Sequence, residues 1–230
     1  MSIDLHAIDL HAINQMLQQI LSAVSPYATT GLLLAACVVA VSRLPLLSVA
    51  GMAAGGACLA AIVSAGDGGI EIAMALLVAA LTAGGVLLLS GGVLWRRPSL
   101  RTLLRRPPDP GPRTPDPLPS QSLAFRTAAL LVVALAVEAL APVAPLRLPP
   151  QETFLASWLV GMGLLAAFSS GSAICSGTGY IMALSTAALF VPDIVPDPTL
   201  RPLIYGLIAA LIIIAALGFS FADVLHKPSA

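Results

Sequence analysis

The chain has 230 residues, 58% of them apolar and only 10% charged, where an ordinary soluble domain carries about 25% charged residues. Acidic and basic residues balance at eleven each, so no overall charge favours nucleic acid. This composition excludes a soluble globular domain and implies an all-α polytopic membrane protein, whose meaning lies in where the few charges fall.

The N-terminus opens with a tandem pentapeptide, Ile3-Asp4-Leu5-His6-Ala7 and Ile8-Asp9-Leu10-His11-Ala12. Five residues turn a helix by about 140° beyond a full turn, so His6 and His11 do not share a face, and the repeat predicts no metal site. Ile13, Met16, Leu17, Ile20, Leu21 and Val24 follow as one apolar helical stripe, opposite Asn14, Gln15, Gln18, Gln19 and Ser22. An amphipathic segment over residues 1–25 is therefore expected, stopping before Pro26. It either lies in the membrane interface or docks on a partner subunit.

A first bundle of three crossings is expected over residues 26–95. Its helices run from Tyr27 to Ser42, from Leu46 to Ser64 and from Ile70 to Leu94, with turns at Arg43-Leu44-Pro45 and Gly66-Asp67-Gly68-Gly69. In the second helix Gly51 and Gly55 form a GxxxG pair, flanked by Ala53, Gly56, Ala57 and Ala60. Small side chains of this kind let two helices approach closely in lipid. Residues 96–126 then form a polar loop with Arg96, Arg97, Arg101, Arg105, Arg106, Arg113 and Arg126, seven of the eleven basic residues. Its Pro-rich middle, PPDPGPRTPDPLPS, cannot hold a helical ladder. Basic loops stay in the cytoplasm, which fixes the orientation of both halves.

Four more crossings are expected over residues 127–222: Thr127 to Val143, Phe154 to Phe168, Ala173 to Val191 and Leu203 to Ala222. Residues 223–230 form a cytoplasmic tail. Seven crossings put nine basic residues inside and leave Arg147 and Arg201 outside. Six crossings give the same ratio by exchanging Arg201 and Lys227, so charge does not fix the number. The near-forty residues between Phe154 and Val191 are too many for one span, which favours seven. Met1 to Ile20 has neither the basic start nor the compact apolar run of a cleavable signal, so insertion into a bacterial inner membrane through the chain's own helices is expected.

Few residues can carry chemistry. Glu138 lies inside the fourth crossing, in LVVALAVEALAPV, where an ionised side chain costs about 2.5–3.5 kcal/mol. It is a candidate proton relay, the partner of a cation on a neighbouring chain, or a structural hydrogen-bonded acid. The hydroxyls of the sixth crossing, Ser172, Ser176, Thr178, Tyr180, Ser185 and Thr186 with Cys175, serve either packing or a hydrated path. Cys37, Cys58 and Cys175 show no metal or cluster spacing, and no phosphate loop or catalytic triad is present. No cofactor, metal or catalytic residue is therefore expected.

The order of three helices, a polar loop and four helices resembles component E of hydrogenase-4. The resemblance is carried by IEIAMALLVAALTAGGVLLLSGGVLWRR (Ile70 to Arg97), LVGMGLLAAFSSGSAICSGTGYIMALSTAALFV (Leu159 to Val191) and LIYGLIAALIIIAALGFSFADVLHK. Members are membrane subunits of formate hydrogenlyases and related complex-I-like, group 4 nickel–iron hydrogenase assemblies. The resemblance implies antiporter-like and hydrogenase-like membrane partners, with lipid around them and no nucleic acid. It also implies an acidic residue after the glycine–tyrosine pair, where this chain has Leu184, and a lysine in the third helix, where it reads Leu81-Thr82-Ala83-Gly84-Gly85. With both charges missing, either Glu138 replaces them or the subunit is a non-catalytic scaffold of an oxidoreductase complex, the reading preferred here. A self-contained small transporter or channel is the alternative.

Overall fold

In a computed structural model, residues 10–65, 69–90, 123–140, 149–170 and 172–225 are described. They form eight helices: α1 Leu10–Val41, α2 Pro45–Ala65, α3 Ile70–Ser90, α4 Leu123–Leu140, α5 Pro150–Ser169, α6 Ala173–Ser185, α7 Ala187–Ile194 and α8 Arg201–Leu225. Five segments are long and apolar enough to cross a membrane: α2, α3, α5, the α6–α7 pair and residues 201–222 of α8. The apolar part of α1, Tyr27–Val41, is shorter. The bundle is compatible with a membrane protein, since large apolar side chains such as Leu34, Val78, Leu131, Leu203 and Ile214 are exposed around its outside.

Several boundaries differ from the sequence reading: α5 begins at Pro150, ahead of Phe154, α8 begins at Arg201, ahead of Leu203, and the sixth crossing is broken at Thr186 into α6 and α7. The N-terminal helix does not stop before Pro26, because α1 runs unbroken from Leu10 to Val41. Proline lacks only its own N–H, so one rung of the ladder is lost and the rungs on either side persist. Arg126 is not in the loop, because α4 already begins at Leu123. The pentapeptide repeat, the loop from 91 to 122 and the tail from 226 lie outside the described residues, as do the side chains of the N-terminal stripe.

α2 sits between α1 and α3 and also touches α6, which in turn lies between α5 and α8; α3 packs on α8 and α1 on α5. α4 is peripheral and packs mainly against α5 and, to a smaller extent, α1. The pattern of buried residues follows from helical phase. α1 buries Ala28, Leu32, Ala35, Ala36, Val39 and Ala40 along one stripe, and α8 buries Tyr205, Ile208, Ile212 and Ala216. α2 buries residues on most of its circumference, as a central helix must.

Apolar lipid gives no hydrophobic drive for two helices to associate, so close contact between small residues carries much of the packing. A side chain at Gly51 would stand 3.0 Å from Val39 Cγ2 on α1, and one at Gly55 would stand 2.9 Å from Met182 Cε on α6. The predicted GxxxG pair therefore faces two neighbours at once. A crossing where backbone meets backbone lies elsewhere, between α5 and α6. A Cβ at Gly163 would lie 2.7 Å from Gly179 O and 2.9 Å from Ala183 N, and one at Gly179 would lie 2.6 Å from Ala167 N. Those atoms are backbone, which cannot rotate away. Farther along α6, Gly177 makes room for the Phe219 ring of α8, which stacks on Tyr180 with centroids 5.3 Å apart.

Gly179→Ala should lower stability by about 1–3 kcal/mol through overpacking of α5 on α6. Gly85→Ala in α3, where nothing lies within 4 Å of the added methyl, should be neutral or stabilising by up to about 1 kcal/mol. Melting midpoints of the two variants in one detergent check the contrast; equal midpoints would contradict the α5–α6 contact.

Candidate functional site

One group of buried polar residues lies at one end of the bundle, around Arg126. This side chain is 3% exposed and in helical phase with Leu130, Val133 and Val137, the face of α4 turned toward its neighbours. Nη1 donates to Ser42 O at 2.8 Å and Nη2 donates to Ser169 O at 2.7 Å. Ser42 directly follows α1 and Ser169 is the last residue of α5, so both acceptors are helix-terminal carbonyls. Such carbonyls have no partner in their own helix and carry the negative end of its dipole, which makes a cation their natural complement. One guanidinium thus joins the ends of α1 and α5 to the start of α4. Its Nε, like Ser169 Oγ, is buried without a hydrogen-bond partner.

The hydroxyls of α6 continue this layer. Ser172 caps the helix by accepting from Cys175 N at 3.2 Å, as a short oxygen-bearing side chain does for the free N–H groups of a first turn. Ser176 Oγ donates to Ala167 O at 2.8 Å and shares a 2.7 Å hydrogen bond with Ser170 Oγ. Thr178 Oγ1 donates to Cys175 O at 2.9 Å and lies 2.6 Å from Ser48 Oγ of α2, both side chains fully buried. Ser185 Oγ donates to Ile181 O at 2.7 Å. Each of these hydroxyls is engaged by a nearby backbone carbonyl, a free N–H or another hydroxyl, which is what packing in a low-dielectric interior requires. Thr186 differs: it forms the break between α6 and α7, and its Oγ1 is buried without a partner.

Glu138 is in a different place. It is exposed on the outer surface of α4 and makes no hydrogen bond or ion pair with the described residues. The structure therefore does not bring it together with Arg126 or with the hydroxyls of α6. Glu71 is exposed in the first turn of α3. Leu184, at the position where the family resemblance implies an acid, packs against the core, and Leu81 and Thr82 are exposed on α3. Gly51 and Gly55 are packing residues at the α1–α2–α6 contact.

At the opposite end of the bundle a cavity of about 290 Å³ opens between α2, α5, α7 and α8, lined by Ile62, Glu152, Leu189, Asp193 and Tyr205 among others. Sequence reading did not single out Glu152 or Asp193 as a pair, because they lie 41 positions apart. Beyond the cavity, Arg201 holds the turn into α8 by donating from Nε to Val195 O at 2.9 Å and from Nη2 to Pro192 O at 3.3 Å. Asp197 Oδ1 accepts from Thr199 Oγ1 at 2.7 Å and from Thr199 N at 2.9 Å. The side-chain bond first, then the backbone bond, holds this carboxyl below the usual range.

Among the described residues no group of three or more His, Cys, Asp or Glu could hold a metal, and Cys37, Cys58 and Cys175 are free thiols. Comparisons with protein-family models, curated proteins and solved structures gave no match.

Arg126→Met should destabilise the protein by about 2–3 kcal/mol, the scale of losing hydrogen bonds made by a charged group, and Arg126→Lys should restore only part of it because an ammonium lacks the two-pronged fork. Detergent melting of the three proteins checks the order. Thr199→Val should move the Asp197 pKa up toward the ordinary carboxylate value. Because the folded value is lowered, this turn is strengthened above the unfolded pKa and loses that contribution as pH falls through the folded one. A carbon-detected NMR titration of Asp197 in both proteins checks the direction.

Proposed function

We propose that the chain is a non-catalytic integral membrane subunit of a complex-I-like proton- or electron-transfer assembly, mainly a scaffold, with Glu138 as its one candidate proton-relay residue. The observation that carries this reading is the division of charge and polarity in α4 and around it. Arg126 and the hydroxyls of Ser48, Ser176 and Thr178 are engaged within the chain, at helix ends and between helices, while Glu138 stands on the outer face of an apolar helix. An acid left outside in such a helix belongs to a surface that something else completes. The helix-order resemblance to component E of hydrogenase-4 supplies the class of assembly.

In this reading the chain crosses a bacterial inner membrane seven times, through α1 from about Tyr27, α2, α3, α4, α5, the α6–α7 pair and α8. The contact of Arg126 with the terminal carbonyls of α1 and α5 supports it, since the start of α4 then lies level with the ends of two helices, as up-and-down alternation requires. The basic loop and the tail are cytoplasmic and the N-terminus lies on the other side. The second reading, a self-contained small transporter, is favoured by the cavity beside Glu152 and Asp193.

Reporter fusions after residues 25, 110 and 225 should report outside, inside and inside; a tail on the side opposite the loop would remove the seven-crossing arrangement. Purification of the tagged chain from its native membrane should recover antiporter-like and hydrogenase-like polypeptides, identified by mass spectrometry. A homo-oligomer free of them, with substrate flux in vesicles, would decide for the transporter. Glu138→Gln should abolish proton translocation by the assembled complex if Glu138 relays protons and leave it unchanged if its role is structural.

A further inference from the structure

The two charged residues of α4 lie on different faces of one helix, about 120° apart around its axis. Arg126 is on the face packed against α5 and α1. The other face carries Ala124, Ala128, Leu131, Leu135 and Glu138, spaced alternately by four and three, and every one of them is exposed. Leu131 is 62% and Leu135 71% exposed. Alternate spacing by four and three is the seam of two helices crossing at a shallow left-handed angle, and the Ala124–Ala128 pair is of the small-xxx-small kind that admits close approach in lipid. Glu138 occupies the last position of that seam.

The depth of Glu138 follows from the neighbours of α4. Arg126 is level with Ser169, and Val133 Cγ1 would lie 2.7 Å from a Cβ on Gly161 of α5, so the two helices run antiparallel side by side. With a rise of about 1.5 Å per residue, Glu138 is about 18 Å along the axis from Arg126, well within the ~30 Å hydrocarbon layer. A carboxylate facing acyl chains at that depth is unfavourable, and a well-placed cation beside it offsets part of the cost.

We propose that this seam of α4 docks a transmembrane helix of a different subunit, one that presents a lysine or arginine at the depth of Glu138. A second copy of this chain does not fit. Copies inserted in one orientation meet about an axis normal to the membrane, so each seam residue faces itself and Glu138 would oppose Glu138. Nor does the described part of this chain offer a cation at that level. Its basic residues are Arg43 and Arg126 at one end of the bundle and Arg201 at the other. The inference rests on the subunit reading above and adds to it the docking helix, the register and the charge that the partner must bring.

The test uses the full chain expressed in its native membrane, with a photo-crosslinking amino acid placed at Leu135 and, as a control on a different face, at Leu211 of α8. Irradiation should give a heteromeric adduct from position 135 whose cross-linked peptide is an apolar helix containing Lys or Arg. In co-purification, Glu138→Lys should lower recovery of that polypeptide at least tenfold and Glu138→Gln should lower it less. Replacing the partner's cation by Glu should restore recovery with Glu138→Lys. Because Glu138 is exposed and makes no hydrogen bond or ion pair with a described residue, the melting midpoint of the chain itself should not move. Adducts from position 135 only with a second copy or with lipid would overturn the proposal, as would undiminished recovery with Glu138→Lys. Recovery of other subunits without an adduct from position 135 overturns this interface alone, whereas recovery of no other subunit overturns the scaffold reading as well.

Discussion

The grip of one guanidinium on two helix ends sets the geometry of this bundle. α4 contributes little buried apolar surface of its own, with Val137 its one deeply buried apolar residue among those described, so van der Waals contact alone fixes it weakly. Arg126 adds what packing does not. Its two prongs reach the carbonyls of Ser42 and Ser169 together, tying the turn between α1 and α2 to the turn between α5 and α6. Burial of the charge is tolerable because both acceptors sit where helix dipoles concentrate negative potential. An ammonium has neither the flat fork nor the reach to meet both at once.

From that end the rest of the fold follows by exclusion of space. α2 is thin where Gly51 and Gly55 meet α1 and α6, and α5 and α6 approach until Gly163 and Gly179 touch backbone to backbone. With α6 that close to both α5 and α2, the Thr178 hydroxyl reaches Ser48 across the core, and Ser176 reaches Ala167 and Ser170. Hydrogen bonding and small-residue packing are thus one arrangement: the close approach makes the bonds short, and the bonds satisfy the hydroxyls of Ser48, Ser176 and Thr178.

α4 is the helix through which the fold leads to function. One of its faces settles a charge inside the chain, and the other presents a charge outward within an apolar seam. In the proposed reading, a helix built in this way joins what the chain completes by itself to a surface offered to another polypeptide. This is the property expected of a scaffold in a membrane assembly, and it contrasts with the far end of the bundle, where Glu152 and Asp193 border an open cavity lined by the chain's own helices.

The sequence alone determined the helical class and the approximate places of most helices, because apolar length and proline or glycine punctuation are local properties. The boundaries at Ile70, Ala173 and Leu46 differ from the structure by a residue at most. It also marked Glu138 as unusual, since a carboxyl inside LVVALAVEALAPV is conspicuous without any fold. What the sequence left undecided was which way each polar residue faces. Arg126 read as one more loop arginine, although its phase with Leu130, Val133 and Val137 was visible, because only the carbonyls of Ser42 and Ser169 give a buried cation a reason to be there. Gly163 and Gly179 looked no different from Gly85, because a missing side chain matters only where another backbone arrives. Tertiary packing made those choices, since the energy of a charge or of a vacant Cβ position depends on distant residues that local pattern cannot bring near.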